Sequence, residues 1–232
     1  MTHALFDLLA LIAAVGLGRW FRKHHGLVRP TGIRDQELHH YYLFWLLMGL
    51  TLGSVLFGSW NLWLSGSAGL AKSILGGLFG AIIAAESFKR LNGIRRSTGL
   101  YFVPGLAALI VVGRIGCFFG GLEDYTYGIA TAMPWGVNFG DDVPRHPVQL
   151  YESLVMLLFL IFLFFDYPRR PLVWQQQGFY WFVLVYAVQR FAWEFIKPYP
   201  AVLFDLTLFH WLCMALAAYS LWMLKAGSKH GE

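Results

Sequence analysis

The stretch DDVPRHPVQLYESLVMLLFLIFLFFD, residues 141–166, decides the class of this protein. Its second half is an almost unbroken run of Leu, Phe, Ile and Met. That run has the length needed to cross a hydrocarbon core of about 30 Å at about 1.5 Å per helical residue. Its first half sets Arg145, His146, Gln149, Tyr151 and Glu152 at the mouth of the run. Polar groups at that depth cost free energy unless a partner or a ligand uses them. The ligand chemistry suited to this set is an anionic lipid headgroup.

Similar runs recur along the chain. Its 232 residues are 57% hydrophobic and 18% aromatic, well above the apolar share of an ordinary soluble domain. Apolar stretches near 4–21, 41–64, 70–88, 100–120, 148–166, 178–196 and 206–225 predict an all-α polytopic membrane protein with seven transmembrane helices. Residues 1–232 read as one membrane domain, with a functional external loop at about 121–147. Glycines four apart (Gly49 and Gly53, Gly76 and Gly80, Gly116 and Gly120) suit close helix contacts in lipid.

The formal net charge of +5 could serve nucleic acid, but its distribution argues against that. Arg22, Lys23, Arg29 and Arg34 follow the first run; Lys89, Arg90, Arg95 and Arg96 the third; Arg169 and Arg170 the fifth; Lys225 and Lys229 the last. The remaining connections offer Arg145 and Lys197. Alternation of this kind is the positive-inside pattern, and it places the N-terminus outside and the C-terminus in the cytoplasm. Cys117 and Cys213 fall within apolar runs and have neither disulfide-framework nor metal-ligand spacing. No metal or cofactor is expected.

With that orientation, five runs carry polar groups at one outer level. The fourth has Arg114 near its end, and the sixth has Tyr186, Arg190 and Glu194 on one helical stripe. The third starts at Lys72, the fifth at Gln149, Tyr151 and Glu152, and the seventh at His210. Glu86 lies at the inner side. Each has a plainer explanation: Arg190 with Glu194 as an intrahelical pair, Lys72 snorkelling, His210 capping a helix contact. An arginine at a helix centre costs roughly 2.5–3.5 kcal/mol on insertion scales, so Arg114 and Arg190 need compensation. Glu123, Asp124, Glu152 and Glu194 can supply part of it. The shared level favours one site, and guanidinium forks suit phosphate oxygens.

GRIGCFFGGLEDYTYG (113–128), PRHPVQLYES (144–153) and YAVQRFAWEF (186–195) resemble the bacterial prolipoprotein diacylglyceryl transferases. The similarity runs from the third span to the end of the sixth. It implies a seven-span enzyme of the bacterial inner membrane, with its N-terminus periplasmic and its site facing the periplasmic leaflet. It also implies a reaction: a diacylglyceryl group passes from phosphatidylglycerol to the thiol of a prolipoprotein lipobox cysteine, releasing glycerol phosphate. By position, Arg114 matches the arginine of the family's G-R-x-G-N-F signature, and Gly128 matches its closing glycine. Tyr186, Arg190 and Glu194 match a tyrosine, an arginine and a glutamate of the sixth span. Arg114 and Arg190 would hold the phosphate.

The chain also departs from the family pattern. The signature asparagine is Cys117 here, and Glu123 is the closer match to the family's acidic residue, ahead of Asp124. The span-three histidine often assigned as base is Leu75, which cannot accept a proton. Another group must do so, with His146, Glu123 and His210 the candidates in that order, or the thiol ionises in the arginine field. A paralogue with another acceptor, and an anionic lipid or metabolite transporter, are the alternative readings. A retinal protein is set aside, because 206–224 contains no lysine.

Overall fold

The computed structural model describes residues 2–27, 29, 30, 33 and 35–228. Arg34 and Lys229, which contribute to the charge pattern, lie outside the described residues. Among the described residues the regular structure is helical apart from one short ribbon. Seven long helices form among the described residues: α1 (Thr2–His24), α2 (Gln36–Leu64), α3 (Ile74–Leu91), α4 (Val103–Gly120), α5 (Val148–Asp166), α6 (Pro171–Glu194) and α7 (Leu208–Ser228). Each apolar run of the sequence falls on one of them. Among the described residues, four segments are long and apolar enough to cross a membrane: Gln36–Leu64, Val103–Asp124, Val148–Asp166 and Leu208–Ala226.

Several helix boundaries differ from the apolar windows, and capping or the flanking residues account for the differences. Helix α2 begins at Gln36, ahead of its window, because the Asp35 side chain accepts the Glu37 N–H at 3.0 Å. Helix α3 begins at Ile74, where Ser73 Oγ accepts the Gly76 N–H at 3.2 Å. Helix α6 starts at Pro171, with Pro in the first turn, and runs through the polar stretch Gln175–Gln177 that its window excluded.

The helices fall into two compact units. One contains α2, α3 and α7. There Gly49 and Gly53 pack on Gly76 and Gly80: a Cβ on Gly49 would meet the Gly80 carbonyl oxygen at 2.5 Å, and one on Gly80 would meet Gly53 Cα at 2.9 Å. The backbones of α2 and α3 touch because no side chain stands between them. Glu86 is held on this unit's own terms: Lys89 Nζ donates to it at 2.9 Å and the Tyr219 hydroxyl of α7 at 2.7 Å. A bulky residue at the glycine contact should be costly, since overpacking costs about 1–3 kcal/mol. Gly80→Val is therefore expected to lower the melting midpoint in detergent. Gly16→Ala, whose Cβ would meet nothing within 4 Å, should leave it unchanged; equal midpoints would contradict the packing account.

The other unit contains α1, α4, α5 and α6 with the 121–147 loop. Helix α1 lies along α4 through small residues, a Cβ on Gly105 meeting the Ala14 carbonyl oxygen at 2.9 Å. Ser153 Oγ of α5 donates to the Val111 carbonyl of α4 at 2.9 Å. Trp174 Nε1 of α6 donates to Asp166 Oδ2 at 2.9 Å across the short α5–α6 turn. The 121–147 loop carries an antiparallel ribbon, β1 (Val137–Asn138) with β2 (Pro144–Arg145). Asn138 Oδ1 closes its turn by accepting the backbone N–H groups of Gly140, Asp141 and Asp142 at 2.8, 3.2 and 3.1 Å.

Candidate active site

Three helices bring charged side chains together inside this second unit. The Ser153–Val111 bond sets α5 against α4 one residue from Glu152 and three from Arg114, which makes those two side chains level. Arg114 Nε lies 2.5 Å from Glu152 Oε2, an ion pair rather than an aligned hydrogen bond. From α6, Arg190 Nη1 donates to Glu152 Oε1 at 2.5 Å. Its other branch, Nη2, lies 3.0 Å from Glu194 Oε2, one turn further on. Lys197, just past the end of α6, puts Nζ 2.8 Å from Glu152 Oε1. Arg114, Glu152, Arg190, Glu194 and Lys197 are 6%, 0%, 3%, 1% and 4% exposed.

Three cations thus meet two carboxylates, with Glu152 shared by all three. Charge in a low-dielectric setting requires a partner, and Glu152 is one for all three cations. Tyr186, fully buried one turn before Arg190, adds a phenol beside Arg114. Gln149 sits one turn before Glu152 on the same α5 stripe. It is fully buried, and neither amide atom is hydrogen-bonded. A buried amide left in that state is costly and calls for an explanation.

The other residues singled out from the sequence have different surroundings. Glu123 is exposed on the 3-10 turn Gly121–Asp124 and stands outside the cluster. Its neighbour Asp124 is the acid within reach of Cys117, whose Sγ lies 4.0 Å from Arg114 Nη1. His146 is half-buried, with Nδ1 3.3 Å from the Tyr151 hydroxyl, and the Tyr151 ring lies 5.2 Å from that of Trp193. This pair flanks the Gln149–Glu152 stripe. Arg145 serves the ribbon: Nη1 bonds Asp141 Oδ1 at 2.6 Å, and its guanidinium sits 5.2 Å over Tyr127. That hydrogen bond holds the Asp141 carboxyl below its usual range. Gly128 permits close approach, because a Cβ would meet His146 Cβ at 2.7 Å and Val148 Cγ2 at 2.8 Å.

Lys72 and His210 belong to the α2–α3–α7 unit. Lys72 is exposed just ahead of α3. His210 takes part in the cap of α7: its Nδ1 accepts the Thr207 N–H at 3.1 Å, and its own N–H donates to Thr207 Oγ1 at 3.3 Å. No group of three or more His, Cys, Asp or Glu among the described residues is arranged to hold a metal ion.

Residues 1–226 match the family model of the prolipoprotein diacylglyceryl transferases. The chain belongs to that family. Among its curated relatives is the phosphatidylglycerol-prolipoprotein diacylglyceryl transferase of Nitratidesulfovibrio vulgaris (strain DP4), 31% identical over 99% of this chain and 90% of the relative. Proteins of the same name from Legionella pneumophila (strain Corby) and Methylococcus capsulatus (strain Bath) are each 32% identical. The Legionella match covers 91% of this chain and 84% of the relative, the Methylococcus match 83% and 74%. No solved structure matches the chain.

This diacylglyceryl transferase family member is therefore an enzyme of the transferase class, with apolar helices suited to a membrane. Its cluster includes one residue that sequence reasoning did not place there, Lys197. The signal was present: Tyr186, Arg190, Glu194 and Lys197 follow one another at spacings of four, four and three, a single stripe continued past the helix end.

Proposed function

We propose that this protein transfers a diacylglyceryl group from phosphatidylglycerol to the thiol of a prolipoprotein lipobox cysteine, releasing glycerol phosphate. The observation that carries the reading is the convergence of Arg114 and Arg190, from separate helices, on one buried carboxylate. In the reaction the acceptor sulfur forms a bond to the diacylglyceryl carbon, and the bond from that carbon to the phosphate oxygen breaks. The electron pair leaves with the phosphate, where guanidinium donors stabilise it. The thiol proton passes to a base. Gln149 offers both donor and acceptor groups in its buried amide, the complement of a hydroxyl on the glycerol headgroup.

Glu152 and Glu194 orient the arginines, and Tyr186 lines the same pocket of charge beside Arg114. Arg145, Tyr151 and Gly128 shape the loop over the entrance of α5. Lys72 and His210 are proposed as outer-leaflet contacts for the lipid or its acceptor, Lys72 through its charge. The chain is read as one seven-span domain of a bacterial inner membrane, N-terminus periplasmic and site facing the periplasmic leaflet. The alternation of basic connections supports that orientation.

Of the base candidates, His146 is favoured over exposed Glu123 and over His210, whose ring serves a helix cap. His146 stands just ahead of α5, the helix that carries Glu152, with its Nδ1 3.3 Å from the Tyr151 hydroxyl. His146→Asn is expected to lower turnover by about 10²-fold or more. Unchanged turnover would eliminate it as the base.

Purified protein given phosphatidylglycerol and a lipobox peptide should shift the peptide's mass by one diacylglyceryl group and release one glycerol phosphate per peptide. Intact peptide beside intact lipid would leave the transporter reading in its place.

A further inference from the structure

Gln149 is the buried polar side chain that the ion pairs of the cluster leave unused. It is 0% exposed, and neither its amide oxygen nor its amide nitrogen has a hydrogen-bond partner. A native fold rarely keeps such a group without a use for it. Its place is a helix start. Pro147 stands at the N-cap of the 19-residue helix α5 and supplies no side-chain bond. The Val148 N–H donates back to the His146 carbonyl at 2.9 Å, and the N–H groups of Leu150 and Tyr151 donate to the Pro147 carbonyl at 2.9 and 3.4 Å. Among the described residues, the Gln149 N–H has no backbone acceptor. A backbone donor, amide donors and an amide acceptor thus gather at the positive end of one helix dipole.

We propose that the first turn of α5 is the subsite for the glycerol headgroup, and that Gln149 selects the lipid by pairing with a headgroup hydroxyl. The inference rests on the phosphatidylglycerol reading above and deepens it. Three residues separate Gln149 from Glu152, about 4.5 Å of helical rise, and Glu152 is where Arg114 and Arg190 meet. A phosphate held by the arginines would sit about a glycerol's length from the amide. The uncapped turn suits the same group, since N–H groups at a helix start favour negative charge. A hydroxyl both donates and accepts, and a primary amide answers it with both. Two other headgroup chemistries fit less well. An ammonium offers donors alone and would face the positive end of the dipole, and a plain alkyl group would leave the amide unpaired.

The polar neighbours of Gln149 on either side are already engaged. His146 has the Tyr151 hydroxyl, and Ser153 has the Val111 carbonyl. Gln149 is thus a specificity-determining residue and not a base, because an amide side chain supplies hydrogen bonds without changing charge.

The test compares phosphatidylglycerol with phosphatidylpropanol, which keeps the phosphodiester, its charge and the length of the headgroup but lacks both hydroxyls. The full chain in neutral detergent, with a lipobox peptide as acceptor, should favour phosphatidylglycerol by about 10- to 100-fold in kcat/KM. In Gln149→Met, close in shape and unable to donate, that preference should fall toward unity. The melting midpoint of the lipid-free variant should be no lower than that of wild type, because an apolar side chain of like shape replaces an unpaired polar one at little cost. No preference in wild type, a preference kept in Gln149→Met, or a variant that is less stable or fails to fold would overturn the proposal. So would a raised KM for the peptide with the lipid preference intact, which would give the amide to the acceptor instead. If neither lipid modifies the peptide, the transferase reading fails by itself. The apparent Kd of each lipid then reads the subsite, and the same preference, lost in Gln149→Met, keeps Gln149 assigned. Equal Kd values in wild type, or no saturable binding of either lipid, would remove both.

Discussion

Arg114→Lys and Arg190→Lys are each expected to lower turnover of phosphatidylglycerol by about 10²- to 10³-fold, the loss seen when one preorganised donor to a developing anion is removed, while the protein stays folded and inserted. The geometry gives the reason. Arg190 spreads its two branches, Nη1 to Glu152 and Nη2 to Glu194. Arg114 meets Glu152 through Nε and turns Nη1 toward Cys117. A lysine has the charge but one compact donor group. It can pair with Glu152 or reach toward a phosphate, and the planar fork does both at once. Peptide modification followed by mass spectrometry reads the effect. Normal turnover by either variant would refute the phosphate assignment.

Glu152→Gln is expected to have the largest effect on stability, about 3–5 kcal/mol, the cost of leaving buried charge without its partner. Glu152 is wholly buried and is the meeting point of Arg114, Arg190 and Lys197. A neutral amide would remove the charge at which three cations meet and would turn an N–H group toward one of them. The melting midpoint in detergent should fall sharply, and added phosphatidylglycerol should recover part of the loss, because a ligand that binds the folded state stabilises it. Glu152→Asp, which keeps the charge on a shorter stem, should fall less. A Glu152→Gln midpoint equal to wild type would mean that the cations are neutralised elsewhere.

The helices were legible because apolar runs in this chain are long and separated by charge. What the windows missed was polar helix. Gln36 to His40 and Gln175 to Gln177 are helical through a cap at Asp35 and a proline at position 171, and neither signal registers in hydropathy. The glycine pairs of α2 and α3 were read correctly as contacts, since a four-residue spacing fixes a face whatever its partner.

The site was legible as far as depth was. Arg114, Glu152, Arg190 and Glu194 are ionisable groups in apolar surroundings, a signal that survives without coordinates. Lys197 escaped because it follows the span and was counted with loop charges, although its stripe on α6 pointed to the cluster. Arg145 and His210 show the converse. Both lie at the expected outer ends of apolar runs, yet local partners, Asp141 for one and Thr207 for the other, account for their placement. Short-range chemistry of this kind is set by turn and cap geometry, which composition does not reveal.

A double-substitution cycle on phosphatidylglycerol turnover tests most directly whether Arg114 and Arg190 grip one phosphate. If both act on the same group, the Arg114→Lys/Arg190→Lys protein should be no slower than the worse single variant, as for residues that work as a unit. Losses that multiply would mean two independent sites and would contradict the account.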